Sequence, residues 1–289
     1  MRLRLVPADA RPGPATDDLS TEPADELLDE LLDLALRVAR EAAALVRTRR
    51  EEGVQVAATK SSITDVVTQA DRDSEELIRT RVLSARPGDG LLGEEGSDST
   101  GTTGVRWVVD PIDGTVNYLH GLDQYAVSIG VEVDGRVQVG VVLNAATGDE
   151  FTAVRGRGAH RNGRPIRAAA RVALEHAVVA TGYNYELPIR ARQAQAVASL
   201  VVRIADVRRL GSCALDLCAV AAGQLDGYVE EGCNPWDYAA GGLVAEEAGA
   251  VVEILTGASG RRLVVAAPGP SYAEFLGLVT SCGFTAHGA

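Results

Sequence analysis

The chain is poor in the groups that build soft-metal, extracellular or membrane chemistry. Its four cysteines, Cys213, Cys218, Cys233 and Cys282, show no C-x-x-C spacing, and two of them fall in an apolar, helix-like stretch where free thiols pack. A reduced, cytoplasmic setting is expected. The four histidines, His120, His160, His176 and His287, are scattered without ligand spacing, which argues against zinc. No apolar run approaches the roughly 18 residues that a membrane helix needs. Arg2 and Arg4 lead into Val6-Pro7-Ala8-Asp9, too polar for the core of a signal peptide. The expectation is a soluble protein with no membrane partner. Positive charge is also scarce: 28 basic residues face 40 acidic ones, for a net charge of -12. Gripping nucleic acid depends on neutralising phosphates, so this balance argues against that as the main task.

What is present is ample apolar material, 46% of 289 residues, enough for one compact unit or two tightly joined halves. Residues 1–22, rich in Pro, Asp, Ser and Thr, read as a mobile tail. Residues 23–289 read as one domain with halves near 23–168 and 169–289. From Pro23, Leu27, Leu28, Leu31, Leu32, Ala35 and Val38 recur at helical spacing through Arg50, with acids early and arginines late, as the helix dipole prefers. A second helix is expected from near Asp71, which alone would serve as its N-cap, to about Ser84. Residues 125–133 and 137–142 read as strands joined by an Asp134-Gly135 turn, and Phe151 to Val154 extends the meander. Further on, residues 177–181 and 225–229 read as strands and 191–202 and 213–222 as helices. Mixed α/β structure follows, without internal repeats.

The chemistry is concentrated in residues 107–120, WVVDPIDGTVNYLH. Trp107, Val108 and Val109 read as a buried strand ended by Pro111, so that Asp110, Asp113 and the Ile112 carbonyl face one point. Hard divalent cations take such oxygen ligands. Gly114 allows close backbone approach, and Thr115 brings a hydroxyl and, if a helix starts there, amides that favour an anion. Taken alone, D-P-x-D could equally cap a turn. The segment nevertheless resembles, at every defining position, the first signature of the inositol monophosphatase family, the magnesium-dependent, lithium-sensitive sugar phosphatases. Residues 236–250, WDYAAGGLVAEEAGA, resemble the second. Lys60, the run Thr64 to Asp71, Gly93-Glu94-Glu95 and the hairpin Gly156 to Gly163 stand in the family's order, and the resemblance covers roughly residues 25–285.

That resemblance implies an α/β fold of alternating αβαβα layers, a homodimer, and a small phosphorylated polyol as substrate. It assigns Glu94, Asp110, the Ile112 carbonyl, Asp113 and Asp237 to two or three magnesium ions, and pairs Asp71 with the Thr115 hydroxyl to activate water. An acidic phosphatase needs such cations, because they invert the local sign of charge. Gly114 and Thr115 would hold phosphate; Gly211, Ser212, Cys213, Glu230 and Asp237 match positions that meet the inositol ring. The run from Arg208 looks most like bacterial inositol-1-phosphatases, although Cys213 stands where alanine is common. Locally, Glu94 in a G-E-E triplet reads as a solvated loop and Glu230 as a polar strand end. Asp237 reads as a first-turn acid behind an Asn234 N-cap and Pro235. The implied reaction is in-line attack by water without a covalent intermediate.

Other readings remain beside it. A haloacid-dehalogenase-like phosphatase has a D-x-D-G-T strand end, but here one extra residue separates the carboxylates and the motif lies far from the N-terminus. An EF-hand from Asp71 fails, with Glu76 and Val82 where Gly and Glu belong. Within the superfamily, fructose 1,6-bisphosphate, histidinol phosphate and 3'-phosphoadenosine 5'-phosphate are alternative substrates. A regulatory binding protein on the same scaffold is the non-enzymatic alternative.

Overall fold

The computed structural model describes residues 24–54, 56–59 and 66–286. The tail at 1–22, Pro23, Lys60, Thr64, Asp65 and His287 lie outside the described residues. The elements in chain order are α1 (Asp25–Glu52), β1 (Val56–Thr59), β2 (Val66–Thr68), α2 (Gln69–Ala85), β3 (Gly90–Gly93), β4 (Val105–Asp113), α3 (Thr115–His120), β5 (Ala126–Val133), β6 (Arg136–Asn144), β7 (Glu150–Val154), β8 (Ala159–Arg161) and β9 (Arg164–Ile166). Then follow β10 (Val178–Thr181), α4 (Leu187–Leu200), β11 (Asp206–Arg208), α5 (Cys213–Ala221), β12 (Gly227–Glu231), α6 (Pro235–Glu247), β13 (Ala250–Thr256), β14 (Arg262–Pro268) and α7 (Tyr272–Ser281).

The layers alternate because successive strand residues point to opposite faces. Strands β3 to β9 form a seven-stranded sheet in sequence order, parallel only at β3–β4. On one face Val127, Ile129, Val131, Val139 and Val141 pack with the Leu28–Val46 stripe of α1 and with Ile78 and Val82 of α2. Ala126, Val142 and Phe151 turn the other way, toward α5, α6 and the second sheet. That five-stranded sheet runs β11-β10-β12-β14-β13. Val264 and Ala266 of β14 face α5 and α6, whereas Leu263, Val265 and Ala267 face Leu200 after β10 and the Phe275 and Val279 side of α7. The result is helix, sheet, helix, sheet, helix. Gly130 and Gly140 are cross-strand partners, and a Cβ on Gly140 would stand 2.7 Å from the Ala240 carbonyl, so α6 lies directly on the first sheet there. Among the described residues no helix is long and apolar enough to cross a membrane.

Two local expectations are corrected. Pro111 does not end its strand: β4 continues to Asp113, and the pairing with β5 jumps from Asp110↔Ser128 to Asp113↔Ala126. Proline has no N–H to give the ladder, and a bulge at Pro111 and Ile112 accommodates it. Asp71 is not the N-cap of α2; Thr68 is, and Asp71 stands at the third helical position of a capping box. The Asp134-Gly135 turn holds, with φ of 50° and 79°.

Candidate active site

The ends of β3, β4 and β12 and the starts of α3, α5 and α6 meet around a cleft of about 330 Å³, with the buried Asp71 of α2 behind Thr115 rather than in its lining. Glu94, Asp110, Ile112, Asp113, Gly114, Thr115, Gly211, Cys213, Glu230 and Asp237 all line it. Ten of the sequence-predicted site residues, spread over more than a hundred positions, are thus brought to one place.

The β4 bulge sets the first group. Asp110 Oδ1 accepts from the Ile112 N–H at 3.0 Å, closing a tight local turn. Asp113 is held from another layer, its Oδ2 accepting from the Ser212 hydroxyl at 2.6 Å and from the Ala214 N–H at 2.7 Å. Ser212 is therefore buried, and also caps α5 by accepting from the Leu215 N–H. It positions Asp113 and does not line the cleft.

Two capping boxes set the second group. Asp71 Oδ2 accepts from the Thr68 N–H at 2.7 Å and the Thr68 hydroxyl at 2.5 Å. Its Oδ1 accepts from the Thr115 hydroxyl at 3.1 Å, and that hydroxyl also lies 3.1 Å from the Ile112 carbonyl. At α6, Asn234 is the N-cap, Pro235 opens the helix and Asp237 Oδ2 accepts from the Asn234 N–H at 2.6 Å. Gly114 supplies a left-handed residue, φ 98°, ahead of the short α3, and a Cβ there would meet the Gln124 carbonyl at 2.7 Å.

Burial governs the electrostatics. Asp71 and Asp113 are each pushed up to about 7, first by burial, against the hydrogen bonds from Thr68 or Ser212 that favour the anion. Asp110 and Asp237 are held well above the usual carboxylate range, by burial and then by the charges of Glu94 and Asp113. Burial also raises Glu230, while the Tyr228 hydroxyl, donating at 2.8 Å, and the charge of Arg209 pull it back. Among the described residues no lysine or arginine pairs with Asp110, Asp113 or Asp237. Buried anions without a cationic partner are costly, and a hard divalent ion suits them. Among the described residues no three Asp, Glu, His or Cys side chains close on one point; the chemistry of the donors, not a formed cage, is what suits the ion. His120, His160 and His176 do not line the cleft.

Sequence reasoning missed Glu75, Gly182 and Arg209. The Glu75 carboxylate accepts from the Glu95 N–H at 2.8 Å and the Ser97 N–H at 3.0 Å, propping the loop that carries Glu94. Glu75 reads in sequence as one more helix acid, and no local signal marks it. Gly182 matters because the Glu230 carboxylate lies against it and Arg209 because its guanidinium lies against Gly211, contacts that no motif marks.

The inositol monophosphatase family model matches residues 27–281. The Mycobacterium tuberculosis H37Rv protein named inositol-1-monophosphatase SuhB is 45% identical over 265 residues, covering 85% of this chain and 91% of that protein. The Nus factor SuhB of Escherichia coli K12 is 39% identical over 233 residues, covering 78% and 86%. The crystal structure of the extragenic suppressor protein suhB from Bartonella henselae superposes with a TM-score of 0.80 at 36% identity, over 86% of this chain and 98% of that one. With the layered fold, the D-P-I-D-G-T bulge and these matches in agreement, the chain belongs to the inositol monophosphatase family.

Proposed function

We propose that this protein is a magnesium-dependent phosphate monoester hydrolase that releases phosphate from inositol 1-phosphate. The observation that carries the reading is the Thr115 hydroxyl donating to Asp71 at the rim of a cleft lined by Glu94, Asp110, Asp113 and Asp237. Those four carboxylates and the Ile112 carbonyl would hold two or three magnesium ions, which supply Lewis acidity toward water and phosphate. Asp71 takes the proton of the attacking water by way of Thr115; a carboxylate pushed up to about 7 by burial is poised for that work near neutral pH. Its orientation is fixed by Thr68, so the proton goes to Oδ1 rather than Oδ2. Amides at Gly114 and Thr115 cradle the phosphate, and Glu230 accepts from a ring hydroxyl. No side chain needs to be phosphorylated.

Purified protein assayed with inositol 1-phosphate, fructose 1,6-bisphosphate and 3'-phosphoadenosine 5'-phosphate, with and without magnesium, tests the reading. Inositol 1-phosphate should give the highest kcat/KM, magnesium should be required, and Asp110→Asn should lower turnover by orders of magnitude while the protein stays folded. Wild-type turnover by folded Asp110→Asn sinks the metal reading; a bisphosphate that wins the comparison sinks the inositol reading alone. The name of the Escherichia coli relative, a Nus factor, favours a second reading, a regulatory binding protein on this scaffold. Absence of turnover on every substrate in magnesium would favour it.

A further inference from the structure

Two charged heads in the wall of the cleft are each seated on a glycine. The Glu230 carboxylate lies against Gly182 so closely that a Cβ there would collide with both of its oxygens. The Arg209 guanidinium lies against Gly211, at φ +94°, where a Cβ would collide with Nη1 and stand 3.0 Å from the Asn117 amide nitrogen. Both heads line the same cleft. The other arginines nearby are engaged: Arg208 pairs with Asp206 at 2.5 Å, and Arg261 pairs with Glu186. Arg209 is exposed and makes no hydrogen bond or ion pair with any described residue. A guanidinium without hydrogen bonds to the described residues and a carboxylate held from one side by Tyr228 therefore line the space that the proposed reaction leaves to the leaving group.

We propose that Arg209 is a specificity-determining residue, a donor fork that works with the Glu230 acceptor to hold neighbouring hydroxyls of a polyol leaving group. The proposal rests on the phosphatase reading above. Each hydroxyl both donates and accepts, so a diol set between a guanidinium and a carboxylate satisfies both heads. The five donors of arginine sit in a fixed planar fork, which suits two adjacent oxygens better than one. The pair is neutral as a unit. A second phosphate on the leaving group would be drawn to Arg209 and repelled by Glu230, whereas neutral hydroxyls meet no such conflict. Arg209 acts on Glu230 and Asp216 through its charge alone, with no hydrogen bond or contact ion pair to a described residue, so engaging a ligand breaks no such bond.

The test compares wild-type protein with Arg209→Gln and Arg209→Lys, in magnesium, on inositol 1-phosphate, cyclohexyl phosphate and fructose 1,6-bisphosphate. Cyclohexyl phosphate keeps the ring and removes every hydroxyl. Arg209→Gln should cut kcat/KM for inositol 1-phosphate roughly tenfold, mainly through KM, and change cyclohexyl phosphate by less than about twofold; Arg209→Lys should recover part of the loss. An equal loss on cyclohexyl phosphate would show that Arg209 acts on the phosphate or the fold, and overturns the proposal. So does a larger loss on fructose 1,6-bisphosphate, which would make Arg209 a reader of a second anion, and so does no loss at all. Wild-type protein active on cyclohexyl phosphate but not on inositol 1-phosphate overturns this proposal and leaves the phosphatase reading standing. Inactivity on all three overturns both.

Discussion

Replacing Glu75 by glutamine should loosen the active site from behind without touching any residue of the cleft. Glu75 is 2% exposed, and each carboxylate oxygen takes one backbone N–H, from Glu95 at 2.8 Å and from Ser97 at 3.0 Å. A Cβ on Gly93 would stand 2.6 Å from Oε2, so this carboxylate also fills the space beneath the residue before Glu94. Glutamine keeps the shape, keeps one acceptor and turns the other into a donor facing an N–H. Losing a charge-assisted hydrogen bond costs about 1.5–3 kcal/mol and leaving a buried donor unpaired at least about 1 kcal/mol, so a loss of about 2.5–4 kcal/mol is expected. For a chain of this size that lowers Tm by roughly 4–12 °C. Displacement of Glu94 by even part of an ångström should raise the magnesium midpoint and cut kcat by roughly ten- to a hundredfold. Thermal melts and magnesium titrations with glycerol 2-phosphate read both effects. Glu76→Gln is the control, since Glu76 pairs with Arg79 on the exposed side of the same helix at 2.8 Å. A Glu75→Gln protein with the wild-type Tm and magnesium midpoint would refute the reasoning.

Stability without magnesium should fall as pH rises from about 5 to 8, because Asp71 and Asp113, pushed up to about 7 in the fold, hold protons there that the unfolded chain has released. Magnesium should protect most at the upper end of that window, and a metal-free Tm that climbs from pH 5 to 8 would contradict the sign. Gly182→Ala should displace the Glu230 carboxylate and so resemble Glu230→Gln, lowering kcat/KM for inositol 1-phosphate roughly tenfold with much less effect on glycerol 2-phosphate; equal losses on both would count against it. Hydrolysis of a chirally labelled phosphate monoester should proceed with inversion at phosphorus, as a single direct attack by water requires, and retention would restore the dehalogenase-like mechanism with its two displacements.

How much could be read beforehand depended on whether the deciding contacts were local. The stripe of α1 and the Asp134-Gly135 turn are set by residues within a few positions of one another, and the sequence shows them. So is the Asn234-Pro235-Asp237 helix start, where both halves of the capping box lie three residues apart. The strand through Pro111 was not legible, because a bulge is paid for by the partner strand, whose register at Ala126 the sequence does not display. The last three elements, Ala250–Thr256, Arg262–Pro268 and Tyr272–Ser281, also went unread. In β14 both faces are buried, one against α5 and α6 and the other against α7, so no alternation survives to mark it. Glu75 and Glu95 are twenty positions apart and their bond exists only once α2 and the loop after β3 are stacked. The seat at Gly182, filled by Glu230 from forty-eight positions on, is hidden for the same reason; that at Gly211 is filled by Arg209 two positions back, but only through the left-handed backbone at Gly211. A missing Cβ is plain in sequence, but the side chain that fills its place is not.

The carboxylates of the cleft divide their duties between their two oxygens. Asp71 gives Oδ2 to the Thr68 cap, Asp113 gives Oδ2 to Ser212 and Ala214, and Asp237 gives Oδ2 to the Asn234 cap. In Asp71 the other oxygen, Oδ1, takes the Thr115 hydroxyl; in Asp113 and Asp237 Oδ1 stands outside these local bonds. One oxygen therefore serves the fold and the second is available for chemistry. Asparagine at any of the three could place its amide oxygen in the committed position and its NH2 in the other, keeping the cap while removing the charge. That is why an amide substitution should leave these helix starts intact and abolish turnover, whereas alanine would unmake the helix start and the site together. A site built this way separates the two effects at each residue, and the gap between the asparagine and alanine variants in Tm measures how much of each carboxylate belongs to the scaffold.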